Sequence, residues 1–196
     1  NATARKAGAD VLAHENTRLW LSTEVNSRWE GRVYKPQPAA ALPNKTFYYG
    51  VQSLPFGGGA VEYAHLGQAH TDGDVYVRFA EEDVIVAGDV VSPSMYPIID
   101  SASNGWLGGI QGALRTLVGR CNASTKVIPA VGAPVGVDAL NQQQEMCFTV
   151  VGRIGENYYK GGTYEELLAS KPTKEFDAQY GDPALVEGAQ CRVALH

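Results

Sequence analysis

The stretch Gln68-Ala69-His70-Thr71-Asp72-Gly73-Asp74-Val75-Tyr76-Val77-Arg78-Phe79, followed by Asp83-Val84-Ile85-Val86-Ala87-Gly88-Asp89-Val90, decides the fold class of this 196-residue chain. Residues 75–79 alternate with period two, the signature of a strand with one face buried. Asp83-Val84-Ile85-Val86-Ala87 reads as an apolar run suited to a buried strand. Glu81-Glu82 makes the turn between them. His70 sits in a glycine-flanked loop before the first strand. Asp89 follows the second directly, behind Gly88. A carboxylate at the carboxyl end of a buried strand lies at the edge where α/β sheets place ligands. His and Asp are both ligands for zinc or a similar cation. On spacing alone two readings stay open: a metal pair, or a capped loop histidine and a turn-forming aspartate.

Outward from this stretch, the pattern upstream is mixed. Residues 3–8 read as the tail of a helix ended by Gly8. Asp10-Val11-Leu12-Ala13 reads as a short buried strand, and His14 to about Glu24 as a helix with Leu19 and Leu21 available for burial. Residues 25–45 carry Pro36, Pro38 and Pro43 and read as a long irregular segment of the kind that shapes binding sites. Strand character resumes at Thr46-Phe47-Tyr48-Tyr49-Gly50-Val51. Pro55-Phe56-Gly57-Gly58-Gly59 predicts a turn and residues 60–66 a strand.

Downstream, helical periodicity takes over. Leu107, Ile110, Leu114, Leu117 and Val118 share one face of a helix expected over 104–119. Lys126-Val127-Ile128-Pro129 is a short strand. Leu140, Cys147, Val151, Ile154 and Tyr158 form a helical stripe between 138 and 159, broken by Gly161-Gly162. Thr163-Tyr164-Glu165-Glu166 is a capping-box pattern opening another helix, and Lys174-Glu175-Phe176 a last helical turn. Strands followed by strands alternating with helices give an α/β layered domain.

Composition bounds the function. A net charge of −5 with no basic stripe argues against nucleic acid as a partner. No apolar run approaches the roughly 18 residues a membrane span needs. Asn1-Ala2-Thr3-Ala4-Arg5-Lys6 has no signal-peptide core and no initiator Met, which reads as a start produced by processing or truncation. Cys121, Cys147 and Cys191 lack CxxC spacing, so no zinc finger is expected. Cys147 reads as a small core residue, and a disulfide between two of the three would need an oxidising compartment. The triplets at Asn1, Asn44 and Asn122 match the N-x-[ST] pattern and add weak support for a secreted or periplasmic origin.

Ala69-His70-Thr71-Asp72-Gly73-Asp74 and Asp83-Val84-Ile85-Val86-Ala87-Gly88-Asp89-Val90 resemble two successive motifs of the metallo-β-lactamase superfamily, including the 19-residue step from His70 to Asp89. Ala13-His14-Glu15-Asn16-Thr17-Arg18, Tyr96-Pro97-Ile98-Ile99-Asp100 and Lys171-Pro172-Thr173-Lys174-Glu175-Phe176-Asp177 extend the resemblance over nearly the whole chain, the last toward a secreted, lactamase-like branch. The resemblance implies an α/β fold, the C-terminal part of an αββα sandwich. It implies zinc as cofactor, His70 and Asp89 as metal ligands with Asp89 bridging two ions, and Asp72 and Asp74 as groups bracing the loop behind them. It also implies that His14 and His65 are not ligands; His196, at the very end of the chain, reads as structural or exposed.

Two departures qualify it. The family's His-x-His-x-Asp-His motif occurs nowhere here. Residues 1–196 therefore read as a partial domain lacking its N-terminal half. The turn that carries the family's last metal histidine reads Pro129-Ala130-Val131-Gly132, so that ligand position is Val131. The expectation is a metal-dependent hydrolase-like protein with an incomplete site; the alternative is a structural, binding or self-assembling scaffold derived from the same fold. Half of a two-sheet sandwich would expose its inner sheet face. A missing half, another subunit or a second copy is therefore expected as partner.

Overall fold

The computed structural model describes residues 1–27 and 31–183. The centre is a five-stranded sheet built from β5 (Gln52–Phe56), β6 (Gly59–His65), β7 (Val75–Phe79), β8 (Val84–Gly88) and β9 (Lys126–Pro129), in that spatial order. Neighbours are antiparallel up to β8, and β9 joins β8 in parallel. A parallel neighbour needs a crossover. It is α3 (Leu107–Val118), which packs with the 23-residue α4 (Val137–Tyr159) as a layer over one face of the sheet.

Period-two alternation decides what that layer covers. Tyr76, Ile85, Ala87 and Val127 point from successive strands into the core, with Ile110, Leu114, Leu117, Leu140, Met146, Cys147 and Val150 opposite them. The next residues along the strands turn the other way. Tyr63, Val77, Val86 and Ile128 fall opposite one another in register as an apolar row, and remain only half-buried. Phe56, at the end of the outer strand β5, is exposed. One face of the sheet is thus closed by helices, and the other keeps its apolar residues partly open to solvent.

Ahead of the sheet lie α1 (Ala2–Lys6), β1 (Leu12–His14) and α2 (Glu15–Ser22). The region expected to be irregular contains a hairpin of β2 (Val25–Ser27) and β3 (Arg32–Tyr34), a single 3-10 turn at Ala39–Ala41, and β4 (Lys45–Phe47) paired in parallel with β1. The three prolines fall outside these strands, so they did not prevent pairing. Residues 28–30 of that stretch lie outside the described residues.

Three expectations are corrected. Of the strand near residues 10–14 only His14 is buried, because that strand has a single partner and no cover. Leu19 is exposed, and α2 buries no residue fully; it is held by polar contacts instead. The last helical turn is α6 (Asp177–Tyr180), beginning after residues 174–176. The capping box at Thr163 is formed in both directions with Glu166 and opens α5 (Tyr164–Ala169). Cys121 and Cys147 are free thiols, and burial pushes the Cys147 thiol up to about 12. Cys191 and His196 lie outside the described residues. No helix among the described residues is long and apolar enough to cross a membrane.

Candidate metal centre

The loop between β6 and β7 is folded tightly on itself. Leu66 N–H donates to the Asp74 carbonyl, and Ala69 N–H to that of Thr71. The Asp74 carboxylate accepts from the Thr71 amide and hydroxyl, each at 2.9 Å. Burial raises the Asp74 pKa above the usual carboxylate range, opposed by the hydrogen bonds from Thr71. The Asp72 carboxylate accepts from the Trp20 indole at 2.6 Å and from the Asn104 amide at 2.8 Å. Asp72 therefore ties α2 and the segment after Asp100 to one loop, while Asp74 holds the loop's own turn. Both carboxylates are engaged by protein donors.

The same loop is strapped to residues 98–106. Asp100 N–H donates to the His70 carbonyl at 3.0 Å, Trp106 N–H to Ala69 at 2.9 Å, and Asp72 N–H to Ser103 at 2.9 Å. The approach is so close that only glycine fits: a Cβ on Gly105 would lie 1.9 Å from the His70 carbonyl oxygen, and one on Gly109 1.6 Å from that of Gln68. His70 Nδ1 donates to the Ile98 carbonyl at 2.8 Å. A carbonyl only accepts, so Nδ1 carries a proton, and in the neutral ring the lone pair is then on Nε2. Metal-ligating histidines are oriented in this way.

Asp89 is placed by the end of β8. The strand register shifts between Val86 and Gly88, and Gly88 takes a left-handed φ of 60° that turns the chain out of the sheet. Beyond it, the fully buried Gln143 of α4 clamps the chain: its carbonyl accepts from Ser92 N–H at 2.8 Å, and its amide donates to the Val90 carbonyl at 3.0 Å. Ala130 N–H donates to the Gly88 carbonyl at 3.0 Å, which draws the turn after β9 alongside. Asp89 and Val131 consequently line one small cavity of about 40 Å³, with Ile98 also in its wall. Ile98, whose carbonyl accepts the His70 hydrogen bond, is therefore in the wall of the cavity lined by Asp89 and Val131. That volume is enough for a water or an ion.

His14 and His65 form a separate arrangement. His14 is buried, accepts from Asn16 N–H on Nδ1 as the cap of α2, and donates from Nε2 to the Tyr48 carbonyl. His65 donates to the Asp72 carbonyl, and the two rings stack 3.7 Å apart. Neither ring is turned toward Asp89 by any of these contacts; both fasten the N-terminal segment to the sheet. Sequence reading set both aside as non-ligands but had no signal for their pairing. It also had none for Gln143.

Zinc takes four N, S or O ligands. Among the described residues no group of three His, Cys, Asp or Glu side chains comes together in a way that would hold a metal ion. His70 and Asp89 are two donors, and the Val131 side chain, which shares the Asp89 cavity, has no lone pair. The described residues do not fit a complete zinc site.

No family model and no curated protein matches the sequence. The fold does match solved structures. A metallo-β-lactamase from Pontibacter korlensis superposes with a TM-score of 0.56 at 17% identity, over 74% of this chain and 60% of that one. This is the metallo-β-lactamase fold. The structure of VMB-1 superposes with a TM-score of 0.55 at 13% identity, over 76% of this chain and 61% of that one, and DIM-1 metallo-β-lactamase with 0.55 at 14%, over 74% and 61%. This metallo-β-lactamase-fold chain thus spans about three fifths of the length of the structures it matches.

Proposed function

We propose that this chain is a metal-dependent hydrolase-like protein whose zinc site is incomplete in its own residues. The observation that carries the reading is the cavity shared by Asp89 and Val131, with Ile98 of the same wall accepting the hydrogen bond that orients the His70 ring. His70 and Asp89 would be metal ligands, and Asp72 and Asp74 the braces of the His70 loop. A complete site of this class lowers the pKa of a bound water to roughly 7 and so supplies a nucleophile for hydrolysis. In this chain His70 and Asp89 are held ready as donors, while Val131 presents only methyl groups at the third position.

A second reading has its own observation. The apolar row Tyr63, Val77, Val86 and Ile128 on the uncovered sheet face suits a contact surface, and a scaffold that has lost its chemistry would retain it. Under either reading a missing half, another subunit or a second copy would cover that face.

Zinc titration of the purified, chelator-treated chain, followed by native mass spectrometry, tests the proposal. The expected result is at most one weakly held zinc per chain, removed by dialysis against chelator. Two zinc ions retained through that dialysis would overturn it.

A further inference from the structure

We propose that the slot between the Trp106 indole and α4 binds a neutral, flat, largely apolar small molecule. It is separate from the Asp89 cavity, and its failure or success does not bear on the metal reading. The slot encloses about 480 Å³, within the roughly 300–1,000 Å³ that small-molecule sites occupy. Its walls are built in an unusual way. Trp106 lies folded back on the first turn of α3, where a Cβ on Gly108 would meet the ring at 2.4 Å. The indole is thereby laid down as a platform, yet 45% of Trp106 stays exposed. Facing it across the slot are Val151, Ile154 and Gly155 of α4.

Gly155 is the informative position. Glycine weakens a helix interior, and here no internal contact requires it: a Cβ at Gly155 would meet nothing within 4 Å. What its bare backbone does is keep the slot open opposite an aromatic face. A flat ring stacked on the indole makes use of both walls. Among the described residues no Lys, Arg, Asp or Glu lines the slot. A charged ligand would lose its hydration there without a counter-charge, whereas a neutral one would not. Gln68 at the edge offers a polar handle.

The slot is joined to the His70 loop by its own backbone. Trp106 N–H donates to Ala69, and Gly105 abuts the His70 carbonyl. An occupant therefore rests on the strut that holds His70.

The test uses the full chain and two fluorescent probes, neutral N-phenyl-1-naphthylamine and its anionic counterpart 8-anilinonaphthalene-1-sulfonate. Saturable binding of the neutral probe at one site per chain is expected, at least tenfold tighter than the anionic one. Gly155→Leu, which fills the slot and favours the helix, should weaken that binding at least tenfold without lowering Tm. Val151→Lys, which places a charge in the wall, should do the same. Unchanged binding in both variants would place the probe elsewhere and overturn the proposal. So would a preference for the anionic probe. Size-exclusion chromatography showing a dimer that Gly155→Leu abolishes would make the slot a contact between copies instead, and would equally overturn it.

Discussion

His14 and His65 lie ring on ring, their centroids 3.7 Å apart and their planes 13° from parallel. The stack joins the cap of α2 to the end of β6, and through the Asp72 carbonyl to the loop that carries His70. Burial, and then the neighbouring His14, hold the His65 pKa below its ordinary value of 6.5, against the raising effect of the bond to Asp72. A base whose folded pKa is depressed contributes stability above its unfolded pKa, and that stability is lost as pH falls through 6.5 toward the folded value. Tm measured from pH 8 to pH 5 should therefore fall below about pH 6.5. His65→Gln should flatten that part of the profile. A profile unchanged by His65→Gln would assign the acid sensitivity to other groups.

Gln143 should be the most costly polar side chain to remove from α4. Among the described residues its amide is the partner of both Ser92 N–H and the Val90 carbonyl, in the segment that follows Asp89. Gln143→Leu keeps the volume but leaves two backbone groups without partners. At about 1–3 kcal/mol for each unsatisfied buried group, a loss of roughly 2–4 kcal/mol is expected from urea unfolding. Gln143→Glu, which keeps only the acceptor, should lose the Val90 bond and fall between the two.

Much of this architecture is legible in the sequence because it rests on local periodicity. The alternation at 75–79, the apolar run at 84–87, the stripe from Leu107 to Leu117 and the capping box at Thr163 each describe one element by itself, and each is found where expected. The Gln143 clamp, the His14–His65 stack and the Trp20–Asp72 bond join residues about 50 positions apart, and no local pattern marks such pairs. The same limit explains Leu19. Its place on a helix could be read, but whether anything covers that face depends on distant chain. At the candidate site, His70 and Asp89 were read from their neighbours in sequence; that Ile98 connects them became visible only in three dimensions.

The Tyr96 and Tyr180 rings pack with centroids 5.4 Å apart and planes tilted by 38°, but differ in their hydroxyls. Tyr96 donates to Asp177 at 2.8 Å and lies within 3.2 Å of the Thr173 carbonyl. Among the described residues the buried Tyr180 hydroxyl has no hydrogen-bond partner, and burial pushes its pKa up to about 12. Tyr96→Phe should therefore cost about 1–2 kcal/mol, whereas Tyr180→Phe should be neutral or stabilising by up to about 1 kcal/mol. Chemical denaturation of both variants compares them directly. Equal losses would show that the Tyr180 hydroxyl has a partner after all.

Two glycines near α3 should respond in opposite senses to alanine. A Cβ on Gly105 would lie 1.9 Å from the backbone oxygen of His70, which cannot swing aside as a side chain would. Gly105→Ala should cost about 3 kcal/mol or more, at or above the upper end of ordinary overpacking. It should also perturb the His70 imidazole resonances. Gly112, inside α3, has open space where a Cβ would go. Gly112→Ala should stabilise by about 0.5–1 kcal/mol through helix propensity alone. Matching losses in both variants would contradict the close approach at His70.

Val131→His is the substitution that bears most directly on the chemistry. Val131 is exposed, so replacing it leaves the core intact and should change stability by less than about 0.5 kcal/mol. The new imidazole would join Asp89 at one cavity, whose wall includes the Ile98 that anchors the His70 ring. Residues that merely orient a metal ligand are worth about 10- to 100-fold in affinity, so an added ligand should tighten zinc binding at least tenfold. Competition against a chromophoric chelator would measure it. His70→Ala in the Val131→His background should return affinity to the level of the unmodified chain. If Val131→His left zinc affinity unchanged, the turn after Pro129 would not be a ligand position, and the incomplete-site reading would have to be abandoned.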